Sequence, residues 1–180
     1  ILDASDMLIC GEDLGMIPQS VPGVMREMNI ISLEIQRMPK GNAKFGEVRS
    51  YPYFSVCSSS CHDMSTIRGW WQGDHEMAKD YFYNYLRWYG LTPMDCSPDI
   101  VHAIVNDHLA SPSMMAIFPI QDLIGMDATL RNQTAEAEQI NEPSNPKHYW
   151  RFRFHIALND LLDAKELNTK IKEMVKKNGR

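Results

Sequence analysis

The sequence predicts an α/β fold in which about four parallel strands alternate with helices, and two features carry that expectation. Short apolar runs at residues 7–10, 51–57 and 114–120 each give way to polar residues and an acid: Glu12 and Asp13 after the first, Asp63 after the second, Asp122 after the third. Between them lie segments with apolar residues at i, i+3, i+4 and i+7, the spacing of one helix face. Parallel α/β folds place their chemistry just beyond the carboxyl ends of the strands, so these acids mark a site. A curved parallel sheet needs about eight strands to close, and four of them make half of a barrel.

Residues 7–10, Met-Leu-Ile-Cys, form the first strand, expected to be buried, and Gly11 and Gly15 bracket the two acids that follow. Val21, Val24, Met25 and Met28 mark a helix that Ser20 can cap, with Pro22 in its first turn. Alternation over residues 31–38, where Leu33 and Ile35 interleave with Glu34 and Gln36, gives a second strand; residues 40–47, with Gly41, Asn42 and Gly46, form a loop. Residues 51–57 are aromatic and β-branched enough for a third strand. The helical region after it is clearest over 74–89, where Met77, Tyr81 and Trp88 share a face and Gly90 is a stop. Ser97-Pro98-Asp99 opens another helix with a cap, a proline at the first position and an acid near the positive dipole end. Its apolar face is Ile100, Val101, Ile104, Val105 and Leu109. Residues 114–120 are the fourth strand, and 131–148, polar and without a period, form a long loop of the kind that usually carries function. From Asp160 onward Leu161, Leu162, Leu167, Ile171 and Val175 lie on an amphipathic helix with lysine-rich flanks, read as a solvated helix end.

A chain of 180 residues can bury one domain, and 44% hydrophobic with 23% charged content is that of a soluble globular protein. A formal net charge of -5 argues against nucleic acid as a partner, because phosphate backbones are bound by basic patches. No apolar run approaches the roughly 20 residues that span a bilayer, and the first residues lack a secretory pattern. The start at Ile1 rather than a methionine suggests that the gene begins upstream. Four scattered cysteines, Cys10, Cys57, Cys61 and Cys96, read as reduced thiols in a cytoplasmic protein. Cys57, Cys61 and His62 are ligand types that zinc prefers, but their spacing has no second ligand pair, and no metal is expected. The 12 methionines are gap-fillers between helices and sheet.

Carboxylates at the ends of different strands, on an acidic chain with many Tyr, Trp and Asn side chains, suit sugar chemistry. Glycosidic cleavage needs a proton donor at the leaving oxygen and a negative group facing the oxocarbenium-like centre. The donor needs a raised pKa, which burial or a neighbouring carboxylate supplies. Glu12 beside Asp13 fits, although composition does not rank it above Asp63 or Asp122, and each could instead cap a helix or pair with an arginine.

The strings Gly11-Glu12-Asp13-Leu14-Gly15-Met16-Ile17-Pro18 and Ile35-Gln36-Arg37-Met38-Pro39 resemble the 4-α-glucanotransferase family, also called amylomaltase or disproportionating enzyme (glycoside hydrolase family 77). The resemblance continues through Cys61-His62-Asp63-Met64-Ser65-Thr66-Ile67-Arg68-Gly69-Trp70-Trp71, Phe118-Pro119-Ile120-Gln121-Asp122-Leu123 and the run from Ile140-Asn141-Glu142-Pro143 to Arg153. Within the family it is nearest to the maltose-handling plant cytosolic branch. It implies a (β/α)8 TIM-type barrel and a retaining, double-displacement transfer of α-1,4-glucosyl units from a maltodextrin or maltose donor to a glucan or glucose acceptor, with a glycogen-like glucan also a partner. No metal or organic cofactor is implied.

Carried over by position, the resemblance makes Glu12 the general acid/base, Asp63 the acid that grips sugar hydroxyls and stabilises the transition state, and His62 a contact to the same sugar. Asp13, Gln121 and Asn141 are implied substrate contacts, with Asn145 and His148 near them. Trp70 and Trp71 are adjacent and point different ways, so at most one stacks on a sugar, and Trp70 is the candidate; Tyr149 and Trp150 are expected to pack. The family's nucleophilic aspartate lies in an Arg-x-Asp motif, which these 180 residues do not contain, and Asp3 and Asp6 are too near the first strand to replace it. Residues 1–180 are therefore expected to be one partial catalytic domain, a C-terminal half-barrel without its nucleophile-bearing half, and inactive alone. The alternative is a non-catalytic half-barrel that binds carbohydrate weakly or self-associates through its open edges.

Overall fold

Four parallel strands form one sheet in chain order: β1 (Cys10–Gly11), β2 (Ile31–Ile35), β3 (Ser55–Ser58) and β4 (Met115–Ala116). The ladder pairs Cys10 with Ile31, Ser32 with Ser55 and Val56 with Met115. A strand order that never reverses belongs to a barrel; a doubly wound sheet changes direction at a switch point. The chain is thus the expected α/β half-barrel of four parallel strands with flanking helices. The computed structural model describes residues 2–180; Ile1 and the Asp3 side chain lie outside the described residues.

The helices are α1 (Val21–Glu27), α2 (Ile67–Gly73), α3 (His75–Asn84), α4 (Pro98–Leu109), α5 (Ile120–Ile124), α6 (Leu158–Asp163) and α7 (Lys165–Lys177). Their main core gathers Ile67, Trp71, Tyr81, Phe82, Ile100, Ile104, Val105, Ile124, Leu167 and Met174. Helix α4 begins as its sequence dictates: Ser97 Oγ accepts from the Ile100 N–H, Pro98 occupies the first turn, and the apolar stripe is buried. No described helix is long and apolar enough to cross a membrane.

Several elements differ from the sequence expectation. Met7 and Leu8 are not buried: they are 74% and 52% exposed, because β1 is an edge strand covered only from the β2 side among the described residues. Ser20 precedes α1 without a side-chain cap bond. The helical region expected after β3 is two helices, α2 and α3, and the stretch 74–89 holds only the second, which Asp74 caps by accepting from the Met77 N–H. Helix α3 stops at Asn84 because Trp88 folds back onto Phe82, ring centroids 5.7 Å apart, through Arg87 at φ 55°. Strand β4 is short because Pro119 has no N–H for the ladder, and the chain turns into α5 instead. The C-terminal helix breaks at Ala164, leaving Leu162 exposed on α6 while Leu167 and Met174 of α7 are buried.

His108 is the polar residue that the apolar stripe of α4 conceals. It is fully buried, its Nδ1–H donates to the Ile104 carbonyl at 2.8 Å, and its Nε2 has no partner among the described residues. Burial lowers its pKa from the usual imidazole range. The unfolded chain takes up a proton near pH 6.5 that the folded chain refuses, so stability falls with acidification below that value, by up to about 1.4 kcal/mol per pH unit. Urea unfolding between pH 7 and 5.5 should show this slope, and His108→Phe should flatten it.

Candidate active site

The first half of the site is made where β1 ends. At Gly11 a Cβ would stand 2.9 Å from Met25 Cε and 3.2 Å from Ile30 Cγ2, so a larger residue here would push aside the end of the Met25 side chain. Gly15, at φ 75°, then turns the chain away in a conformation that favours glycine. Glu12 lies between them with an exposed side chain and no protein hydrogen bond among the described residues.

Asp13 has a different task from the one the resemblance implied. Its Oδ1 accepts from the Leu33 N–H at 2.9 Å, replacing the main-chain carbonyl that β1 would have offered had it continued. Its Oδ2 meets Lys40 Nζ at 2.7 Å, and Lys40 also reaches Glu34 Oε1 at 2.8 Å. Both oxygens of this buried carboxylate are engaged by the protein, so Asp13 ends the strand and fixes the base of Glu12. It also lines a separate pocket of about 490 Å³, with Met25, Glu34, Tyr53 and Phe54, on the face of β2 opposite Ile31 and Leu33.

The second half lies beyond β3. Asp63 Oδ1 accepts from Asn141 Nδ2 at 2.6 Å, and Asp63 Oδ2 is 3.3 Å from His62 Nε2. The Asn141 N–H in turn donates to the His62 carbonyl at 3.1 Å, so Asn141 holds both residues. The His62 and Asp63 side chains remain 53% and 42% exposed, held but open to a ligand. Trp150 adds a wall, its ring centroid 5.8 Å from His62 and 6.1 Å from His148, while 62% exposed. A cleft of about 510 Å³ runs from Ser60, Cys61, His62, Gln121 and Ile140 down the inner face of the sheet, past Ile31, Leu33 and Val56. Burial raises the pKa of the Cys61 thiol, and the negative charges of Asp63 and Glu12 push it the same way. Cys61 thus lies within reach of both acids' fields.

The remaining sequence candidates divide. Gln121 lines the cleft, but it is buried and donates its amide to the Glu138 carbonyl at 3.3 Å. Trp70 is half-buried and does not line the cleft. It packs edge-on against Phe45, Trp71 and Tyr81, with the Arg37 guanidinium carbon 5.3 Å from its ring centroid. Asp122 is also removed from the chemistry: its carboxylate accepts from Ser59 Oγ at 2.6 Å, Ser60 Oγ at 2.5 Å and the Ile67 N–H at 2.8 Å. Cys57 is buried in β3, with Sγ 3.2 Å from Ser111 Oγ. Among the described residues no three His, Cys, Asp or Glu side chains converge as a metal-binding group.

Four supporting residues were not legible beforehand. Trp150, expected to pack, stands exposed beside His62. Arg37 holds the loop beyond β3, donating to the carbonyls of Ser59 and Ser65 at 3.2 and 2.7 Å. Arg68 and Glu138, both buried, form an ion pair, and Thr66 Oγ1 donates to Glu138 Oε2 at 3.2 Å. Glu138 lies three residues before Asn141, so this pair anchors the 131–148 loop where it reaches the site.

Comparison with known proteins gives these positions a context. The 4-alpha-glucanotransferase family profile matches residues 1–159. The 4-alpha-glucanotransferase DPE2 of Oryza sativa subsp. japonica is 46% identical over the whole chain, which covers 19% of that protein. A 4-alpha-glucanotransferase of Chlamydia caviae is 29% identical over 98% of the chain and 34% of its own length. The chain therefore spans only a fifth to a third of these relatives. Among solved structures, amylomaltase from Streptococcus agalactiae in complex with acarbose superposes with a TM-score of 0.72 at 21% identity, over 99% of this chain and 33% of that one. Amylomaltase from Corynebacterium glutamicum gives 0.67 at 13% identity, over 93% and 28%. At such identities the structural matches establish the fold alone.

Proposed function

The chain belongs to the 4-alpha-glucanotransferase family, and from that premise we propose that it supplies the acid/base part of a centre that transfers α-1,4-glucosyl units from maltodextrin or maltose to a glucan or glucose acceptor. The observation that carries the reading is the placement of Glu12 and Asp63. They follow the carboxyl ends of β1 and β3, both side chains are exposed, and Asp63 is fixed by Asn141 and His62. Four free thiols and the absence of any requirement for a cofactor in this chemistry accord with a soluble cytoplasmic enzyme of starch, glycogen or maltose metabolism.

Glu12 protonates the leaving glycosidic oxygen and later takes the proton of the acceptor hydroxyl, the exchange of roles that retention demands. The Asp63 carboxylate bonds hydroxyls of the sugar whose anomeric carbon gains positive charge, with His62 on the same ring and Trp150 offering an apolar surface. The covalent step belongs to the Arg-x-Asp aspartate of the family. Its absence from these 180 residues means that they do not complete the reaction alone.

Incubating the full-length gene product with maltotriose should yield glucose and longer maltooligosaccharides; no change in chain length would refute the proposal. The isolated 180 residues should give no transfer and should elute as a dimer or larger, because Met7, Leu8 and Ile117 leave apolar surface along the sheet edges. Transfer by this piece at the full-length rate would show that the nucleophile has been misplaced.

A further inference from the structure

The segment from Ser59 to Ser65 carries Cys61, His62 and Asp63 as an irregular loop whose two ends converge on one side chain. Arg37, two residues beyond β2, sends Nη2 to the Ser59 carbonyl at 3.2 Å and to the Ser65 carbonyl at 2.7 Å, with Nη1 3.5 Å from Ser65 Oγ. Trp70 lies against the guanidinium at 5.3 Å. One planar cation therefore closes the loop from beneath, and Asp122 grips the same Ser59 and its neighbour Ser60 from the side. The Arg37 cation is costly to keep here: burial lowers its pKa to about 10, which still leaves it charged at neutral pH. A lysine would bring a compact point charge without the planar group that lies against Trp70 and directs Nη2 to both carbonyls and Nη1 toward Ser65 Oγ.

We propose that Arg37 is the positioning residue of Asp63, setting the height and orientation at which that carboxylate meets the sugar. The proposal rests on the glucanotransferase reading of the site. Asn141 holds the carboxylate from above by its amide, and Arg37 holds the backbone on which it stands. Displacement of a reacting group by about 1 Å can cost about 100-fold in rate, and loss of the guanidinium that ties both ends of the loop frees it for movement of that size.

The test is a double-mutant cycle in the full-length gene product, with kcat and KM for maltotriose disproportionation and the thermal unfolding temperature measured in parallel. Arg37→Lys and Arg37→Met should each lower kcat about 10- to 100-fold, with KM changed far less. In an Asp63→Asn background the same Arg37 changes should cost less than about threefold, because the group through which Arg37 acts is already gone. Equal loss in both backgrounds, or loss that follows the unfolding temperature alone, would overturn the positioning role. Should Arg37→Met fail to fold, Arg37→Lys, which keeps the charge, carries the same cycle. Wild-type protein without transfer overturns the functional reading and this proposal with it; wild-type transfer with unimpaired Arg37 variants overturns this proposal alone.

Discussion

Replacing Glu12 by glutamine in the full-length gene product should lower glucosyl transfer from maltotriose by about 10²- to 10⁴-fold, the usual contribution of a positioned general acid/base. That is about 3–5 kcal/mol of transition-state stabilisation. Glutamine keeps the shape of the side chain and removes its proton. Glu12 is exposed and makes no protein hydrogen bond among the described residues, so the substitution leaves folding untouched. The unfolding temperature should match that of the wild type, and the loss should fall on kcat. Asp13→Asn, one residue on, should behave in the opposite way. Its carboxylate terminates the β1 ladder at the Leu33 N–H and neutralises Lys40, so the change costs stability first and activity only through it. The pair of variants separates chemistry from scaffolding within two adjacent acids.

Glu138→Ala should be the most damaging single change to stability, by about 3–5 kcal/mol in urea unfolding, because it leaves Arg68 buried with no countercharge. Burial outweighs the attraction of Arg68 and raises the Glu138 carboxyl pKa above its ordinary value, so desolvation is the dominant influence on this acid. Replacing both partners by apolar residues, Arg68→Met with Glu138→Met, should therefore be much milder than either single loss. The single change should also weaken sugar chemistry at a distance. Without Glu138 the loop loses its tie to Thr66, which caps α2 by accepting from the Gly69 N–H, and Asn141 loses its fixed approach to Asp63. A Glu138→Ala chain as stable as wild type would contradict the reading of a buried, mutually dependent pair.

The architecture could be read from local pattern because its strands and helices announce themselves locally. Apolar runs stopped by glycine or proline, and the Ser97-Pro98-Asp99 start of α4, depend on neighbours within one turn, and these survived in the structure. Glu12, Asp63, His62 and Asn141 were legible because strand ends and a family resemblance pointed to them, and the structure brings the last three into one hydrogen-bonded group. What misled was chemistry decided by distant partners. Asp13 looks like a second site acid until Leu33 and Lys40 close around it, 20 and 27 residues away. Trp70 looks like a sugar platform until Phe45 and Tyr81 cover it, and Asp122 looks catalytic until two serines of the loop beyond β3 bind it. Arg68 and Glu138 are 70 residues apart, and no periodicity links them. The apolar runs misplace strand ends for the same reason: β1 begins at Cys10 rather than Met7, β2 stops at Ile35 rather than Met38, and β4 stops at Ala116 rather than Ile120, because pairing partners, rather than apolar content, set where the ladder runs.

The most direct measurement asks whether Glu12 moves the proton. Maltosyl fluoride has a leaving group that needs no protonation, and azide is a nucleophile that needs no base, so together they bypass both tasks assigned to Glu12. The full-length Glu12→Gln protein, slow on maltotriose, should recover turnover of maltosyl fluoride when azide is added and accumulate the α-configured maltosyl azide that retention demands. If azide leaves the variant as slow on the fluoride as on maltotriose, or if the variant disproportionates maltotriose at the wild-type rate, Glu12 is not the proton shuttle.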